Sequence, residues 1–390
     1  MERLKKFLSE RALEGTLRSL DPLIRLGRGW IKLLDSDKEL VDFSSNDYLA
    51  LSEHPEVIAA SRKYLEMFGA GAGGARLMSG DLEINHLLEQ EIAQLKSKDA
   101  ALIFGSGYLA NTGIIPALVG RGDLIITDRL SHASIYDGCL LSGARIIRFR
   151  HNDLDHIEQI LQEKRDQFNS CLVVVESIYS MDGDRCPLVE LVELKKRYDF
   201  WLMVDEAHAT GLYGENGAGI IEEDKVSDGV DIAMGTFGKA LGSYGAYAAS
   251  SRETIDYLVN RARTFIYSTA LPPAVVGASL AALYLVKTEP QLRLDLHAKV
   301  SFFKKQLRKN GCKDDLGPSQ IVPIMIGDSE SALAIAEELR HENFYVKAVR
   351  PPTVPEGSAR LRFSVTRYHQ EEDLKRCALQ LAAALDRFSG

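Results

Sequence analysis

The stretch "FWLMVDEAHATG" (residues 200–211) decides the fold. Its first half is apolar on consecutive residues, which suits a strand covered on both faces rather than one with a solvent side. Its second half turns abruptly to acids, a histidine and a hydroxyl. Six more apolar runs belong with it: "AALIF" (100–104), "DLIIT" (123–127), "ARIIRF" (144–149), "CLVVVE" (171–176), "DIAMGT" (231–236) and "GAYAAS" (245–250). Helical patterns such as "DHIEQILQEKRDQF" and "PLVELVELKKRYD" separate several of them. The alternation predicts an α/β domain on a mostly parallel, seven-stranded central sheet, with helices on both faces and right-handed crossovers.

Outward from that sheet the pattern changes. "IVPIMI", "YVKAVR" and "ARLRFSV" read as strands, and "SALAIAEELRHE" and "EEDLKRCALQLAAALDRF" as amphipathic helices, which predicts a smaller α+β C-terminal domain. Ahead of the sheet, "MERLKKFLSERALEGTLRSL" reads as a charged amphipathic helix and "WIKLLDSDKELVDFSSNDYLALS" as a hairpin followed by an extended approach. The expected divisions are residues 1–50, 51–275 and 276–390.

Forty-seven basic against 55 acidic residues give a net charge of −8, and no basic run offers a footprint for DNA or RNA. The first residues lack an apolar signal core, and no apolar run is long enough to span a bilayer. The five cysteines are odd in number and scattered, as reduced thiols in a cytoplasmic protein would be. The nine histidines form no H-x-x-x-H pair, so no metal site is expected.

In an open α/β sheet, chemistry gathers beyond the carboxyl ends of the strands. The segments that follow the apolar runs are "GSGYLAN", "DRLSHAS", "SIYSMDGD", "DEAHATG" and "TFGKALG". Three chemistries compete for them. "GSGYLA" (105–110) with Asp128 some way on fits a dinucleotide fingerprint and hence a hydride-transfer enzyme. "VDEAH" (204–208) has the form of an ATPase motif, but that class needs a Gly-Lys-Ser/Thr loop before it; the Gly-Lys pair here comes afterwards and Ala240 follows it. The third reading, pyridoxal 5′-phosphate (PLP), employs all five segments. Lys239 among small residues supplies an amine for the aldehyde. Asp205 keeps the pyridine nitrogen protonated, and His208 bonds the phenolate oxygen. The amides of "GSGY" and the hydroxyl of Thr236 receive the phosphate.

The chain resembles the fold-type I PLP enzymes, and among them the α-oxoamine synthases. The resemblance rests on "SSNDYLALS", "SGYLAN", "DRLSHASIYDG", "ESIYSMDGD", "DEAHATG", "TFGKALG" and "YSTALPP", in that order over nearly the whole length. Members join an amino acid to an acyl thioester and release CO2 and the thiol. "RPPTVP" in "VRPPTVPEGSARLRF" (349–363) is similar to the members that use L-alanine with pimeloyl-CoA or a pimeloyl carrier protein, although glycine and serine users share the core motifs. The resemblance implies Lys239, His132 and Asp205 as catalytic residues, with His132 stacked on the cofactor ring and touching substrate. It implies Gly107, Tyr108, Ser180, His208 and Thr236 as further cofactor contacts. Ser268 and Thr269 would reach the phosphate of a partner subunit in a homodimer with shared sites. Arg18, Asn46, Thr353 and Arg362 would bind substrate.

One choice stays open. A strand over "ARLRF" puts Arg360 and Arg362 on one face. A planar guanidinium suits a carboxylate, and either side chain qualifies; the motif match favours Arg362.

Overall fold

A computed structural model describes residues 2–388. The seven apolar runs are the seven strands of one sheet, in the order Ala100–Phe104, Ala246–Ser250, Ile232–Thr236, Trp201–Asp205, Cys171–Glu176, Leu124–Asp128, Arg145–Phe149. Neighbours from Ile232–Thr236 to Arg145–Phe149 pair in parallel. Ala246–Ser250 runs antiparallel to both of its neighbours. The reason lies in its connection: residues 237–245 contain no crossover helix, and a parallel return needs one. Most strands are buried from end to end, as their unbroken apolar runs require. Arg145–Phe149, last in the strand order, leaves Arg145 and Arg148 exposed.

Helices Gly107–Leu118, Ala133–Ser142, Leu154–Lys164 and Leu188–Arg197 alternate with these strands. Ile114, Ile115 and Ile135 on the helices join Leu102, Ile125, Leu172, Met203 and Ile232 of the strands in one core. Each such side chain stabilises the fold by about 2 kcal/mol through burial.

The chain divides into two compact units. The larger holds Leu51–Ser180 and Asp184–Arg293; the smaller gathers the residues up to Ala50, Met181–Gly183 and those from Leu294 onward. This grouping differs from the sequence-based divisions at both ends. Glu39–Asp42 pairs with Trp30–Leu33 as the expected hairpin, then takes Phe344–Tyr345 as a parallel partner on its other side. That long-range pairing joins the first fifty residues to the C-terminal ones. Helix Pro273–Thr288, in contrast, packs on helix Pro55–Phe68 and so stays with the larger unit.

In the smaller unit Ile321–Gly327, Ala359–Ser364 and Ala348–Val349 form an antiparallel sheet, accompanied by helices Ser329–His341 and Glu371–Phe388. Phe43 centres its core, stacked 4.1 Å from the His369 ring and edge-on to Phe363 at 5.5 Å. Burial pushes the pKa of His369 down to about 4. Among the described residues no helix is long and apolar enough to cross a membrane.

Candidate active site

Lys239 lies in the link between strands Ile232–Thr236 and Ala246–Ser250. The link is braced by its own backbone: the N–H of Phe237 donates to Gly245 O, that of Ser243 to Phe237 O and that of Gly242 to Lys239 O, each at 2.9 Å. Gly242 has φ +61°, and a Cβ there would run into the backbone of Leu51 and Ser52, so the turn requires glycine. Lys239 is half-buried, and its Nζ is 2.8 Å from Nε2 of the buried His208. Thr236 is partly committed. Its hydroxyl donates to Gly245 O at 2.8 Å and accepts the N–H of Gly238 at 3.1 Å.

Asp205 ends its strand at 5 % exposure. Oδ1 accepts the Ala207 N–H at 2.9 Å and Oδ2 accepts Asn111 Nδ2 at 3.0 Å. Asn111 comes from helix Gly107–Leu118 and also donates to Ser134 Oγ at 2.9 Å. Ser134 Oγ in turn is 2.8 Å from His132 Nδ1. His132 caps helix Ala133–Ser142 by accepting the Ser134 N–H on its ring. Although the residue reaches solvent, burial around the ring holds its pKa below the ordinary histidine value. The Lys239 charge pushes the same way, while Asp205 and Asp137 oppose it.

The backbone N–H of His132 donates to Glu176 Oε1 at 2.6 Å. Glu176 is the strand neighbour of Asp205. Burial, then the adjacent Asp205 charge, pushes its pKa up to about 8, so it keeps its proton at neutral pH. Glu176, Asn111 and Ser134 escaped the sequence reading. An acid closing an apolar run was the available signal for the first.

Helix Gly107–Leu118 begins on Ser106, whose hydroxyl accepts the Leu109 N–H. The backbone amides of its first turn, at Gly107 and Tyr108, lack helical partners and suit an anion. A Cβ on Gly107 would lie 3.3 Å from Met234 Cε. The Tyr108 hydroxyl donates to Asp137. Ser180 is half-buried beyond strand Cys171–Glu176. Thr269 bridges to Ala75, and the next residue donates to Gly74 O, which holds Ser268 and Thr269 beside the glycine-rich loop of residues 69–74.

The hydride-transfer reading needs Asp128 for a ribose, and the structure commits it elsewhere. Asp128 is buried; Oδ1 meets Leu130 N and His151 Nδ1, and Oδ2 meets Asn152 N and Tyr179 Oη. His151 sits between Asp128 and Asp184. Burial alone would lower its pKa, yet the two carboxylates hold it at about 10, a charged histidine tying strand ends together. The cysteines are free; burial raises Cys139 and Cys171 to about 12, outside any catalytic range. Among the described residues no group of three or more His, Cys, Asp or Glu side chains could hold a metal.

The smaller unit carries the remaining candidates. Arg362 has both Nη atoms 3.3 Å from Asn46 Oδ1, with Nη1 2.7 Å from Ser364 Oγ and Nη2 3.3 Å from Tyr48 Oη. Its neighbour Arg360 is buried and ion-paired with Asp182. Arg18 is exposed and donates to Thr353 Oγ1 at 2.6 Å. Close by, Arg11, Thr16, Pro351, Val354 and Glu356 border a cavity of about 720 Å³.

Residues 38–381 match the family described as aminotransferase class I and II. The chain is 45 % identical over 371 residues to an 8-amino-7-oxononanoate synthase of Geobacter sulfurreducens, covering 95 % of this chain and 94 % of the relative. A second synthase of that description, from Pelobacter propionicus, is 49 % identical over 350 residues, covering 89 % of each. A solved SPT structure holding PLP superposes at a TM-score of 0.93 with 29 % identity, covering 100 % of this chain and 98 % of that one.

Proposed function

The chain belongs to the aminotransferase class I and II family, and we propose that it makes 8-amino-7-oxononanoate in biotin biosynthesis. It is a PLP-dependent acyltransferase that joins L-alanine to a pimeloyl thioester, releasing CO2 and the free thiol. The substrate reading draws on sequence rather than fold: identity reaches 45 % and 49 % with two such synthases, against 29 % with the superposing SPT.

The donor set fits PLP. An aldehyde needs a primary amine, a pyridinium needs a buried carboxylate, and a phosphate dianion needs clustered N–H groups. Lys239, Asp205 and the start of helix Gly107–Leu118 answer these in turn, and His132 adds an imidazole joined to Asp205 through Asn111 and Ser134. The observation that carries the reading is the 2.8 Å contact of Lys239 Nζ with Nε2 of His208, which lies three residues on from Asp205, the buried acid that ends the neighbouring strand.

When bound, PLP supplies the electron sink for the pair left on the substrate α-carbon, first by loss of a proton and later by loss of CO2. Lys239 provides the anchoring amine and then takes the α-proton on Nζ. His208 holds that nitrogen in place. Asp205 keeps the pyridine nitrogen protonated, its own position set by Asn111 and the Ala207 amide. His132 covers the ring and directs a hydrogen bond to the thioester or keto-acid oxygen. Ser180 bonds on the phenolate side with His208, while Gly107, Tyr108 and Thr236 hold the phosphate. Arg362 and Asn46 receive a substrate carboxylate, and Arg18 and Thr353 guide the acyl chain. The protein works as a homodimer in which Ser268 and Thr269 serve the partner's phosphate site.

Thiol release with pimeloyl-CoA and with a pimeloyl carrier protein, each against alanine, glycine and serine, tests the reaction. Alanine with one of the pimeloyl donors gives the fastest turnover. Faster turnover with glycine and a short acyl-CoA would overturn the substrate assignment and leave the family standing.

A further inference from the structure

The Asn111 amide can sit only one way round. Turned over, it would set Oδ1 against the Asp205 carboxylate, acceptor against acceptor. Nδ2 therefore donates to Asp205 Oδ2 at 3.0 Å, and its second proton goes to Ser134 Oγ at 2.9 Å. The Ser134 hydroxyl has accepted one bond and still has its own proton to give. His132 Nδ1 lies 2.8 Å away to take it. The same Nδ1 also accepts the Ser134 backbone N–H at 3.2 Å. With two donors converging on Nδ1, the ring proton belongs on Nε2. The carboxylate fixes the Asn111 amide, the amide leaves the Ser134 hydroxyl proton free for Nδ1, and the Ser134 backbone N–H, which can only donate, fixes Nδ1 as the acceptor.

We propose that Asn111 and Ser134 are positioning residues that convey the orientation imposed by Asp205 to His132, and hold that ring as its Nε2–H tautomer, a hydrogen-bond donor at its outer edge. The identity of the acceptor, a thioester or keto-acid oxygen, rests on the function proposed above; the tautomer does not. The charged and titratable groups acting on the ring are Asp205, Lys239 and Asp137, with Glu176 on its backbone amide. A donor is what a developing negative charge on oxygen requires, and a ring fixed in advance loses nothing to reorientation as that charge grows.

The test uses the PLP-loaded enzyme with its nine histidines labelled with nitrogen-15. Long-range proton–nitrogen correlation spectra separate a protonated ring nitrogen from an unprotonated one, and His132→Gln identifies the signals. At neutral pH Nε2 is protonated and Nδ1 is not. In Ser134→Ala and Asn111→Ala the separation between the two signals shrinks as tautomers mix. Ser134→Thr, which keeps the hydroxyl, restores it. Turnover at saturating substrate falls about tenfold in each alanine variant, the size of one hydrogen bond. A proton on Nδ1 in the parent enzyme, or an undiminished separation in both alanine variants, overturns the relay. Should Asn111→Ala not fold, the parent spectrum and Ser134→Ala decide between them. The spectra need no substrate, so a wrong substrate assignment would leave them unchanged and appear only in turnover.

Discussion

Lys239 Nζ and His208 Nε2 stand 2.8 Å apart, the amine on the turn after one strand and the imidazole on the loop after its neighbour. Neighbouring parallel strands deliver the two groups to the same edge of the sheet, which is why residues 31 apart in the chain can meet there.

Lys239→Ala abolishes turnover, by about a thousandfold or more, the size of a lost general base. Borohydride reduction of the PLP-loaded parent leaves a phosphopyridoxyl group on this side chain, read by peptide mass spectrometry; the variant carries none there. An adduct on another lysine of the parent would reject the assignment. His208→Ala keeps the adduct and lowers turnover less, because it removes a partner of the amine and not the amine.

Glu176 makes stability depend on pH. Folding raises its pKa from 4.5 to about 8. The folded chain thus holds a proton that the unfolded chain has released, and the stabilisation is complete below the unfolded value and lost as pH rises through the folded one. Glu176→Gln keeps an acceptor for the His132 amide and removes the ionisation. Between about pH 5 and pH 8 the parent loses roughly 2–4 kcal/mol relative to the variant, measured by urea unfolding at a series of pH values. Parallel pH profiles for the two proteins would contradict this.

Arg360 and Arg362 separate by the kind of damage their loss causes. Arg360 is 4 % exposed and paired with the part-exposed Asp182, so Arg360→Ala lowers stability by about 1.5–3 kcal/mol. Arg362→Ala costs less stability, because its partners Asn46, Ser364 and Tyr48 are neutral, and it raises KM for a carboxylate-bearing substrate about tenfold or more. Arg362→Lys recovers only part, since an ammonium cannot reproduce the planar fork. Unfolding curves and substrate saturation curves on the same preparations decide.

Behind the Asp205 loop, Lys96 Nζ is 2.6 Å from Glu206 Oε2 and 3.2 Å from Thr210 Oγ1, all three residues buried. Lys96→Met strands the Glu206 carboxylate and costs about 3–5 kcal/mol. Adding Glu206→Gln recovers most of that loss, because the uncompensated charge is then gone. A double variant as unstable as the single one would show that the pair matters through shape and not through charge.

Much of this protein is decided by local pattern. A strand buried on both faces must be apolar on consecutive residues, and a reactive edge must switch to polar groups where the strand ends. Both properties sit within a dozen residues, which is why "FWLMVDEAHATG" shows strand and site together. Lys239, His208, Asp205 and His132 were legible for that reason. Asn111, Ser134 and Glu176 were not, because their importance comes from what they touch: a helix, a cap and a strand neighbour far apart in the chain.

By itself, then, the sequence determined the seven strands and the polar edge, since each follows from burial and composition over a short span; among the three chemistries that competed for that edge, the family resemblance made the choice. Only the tertiary structure decided that Asp128 is bound up by its neighbours, that Arg360 is spent on Asp182, that Ala246–Ser250 runs against the rest of its sheet, and that the first fifty residues join the last hundred. Those are choices of partner, made by hydrogen bonds and charges across long stretches of chain, and no local pattern records them.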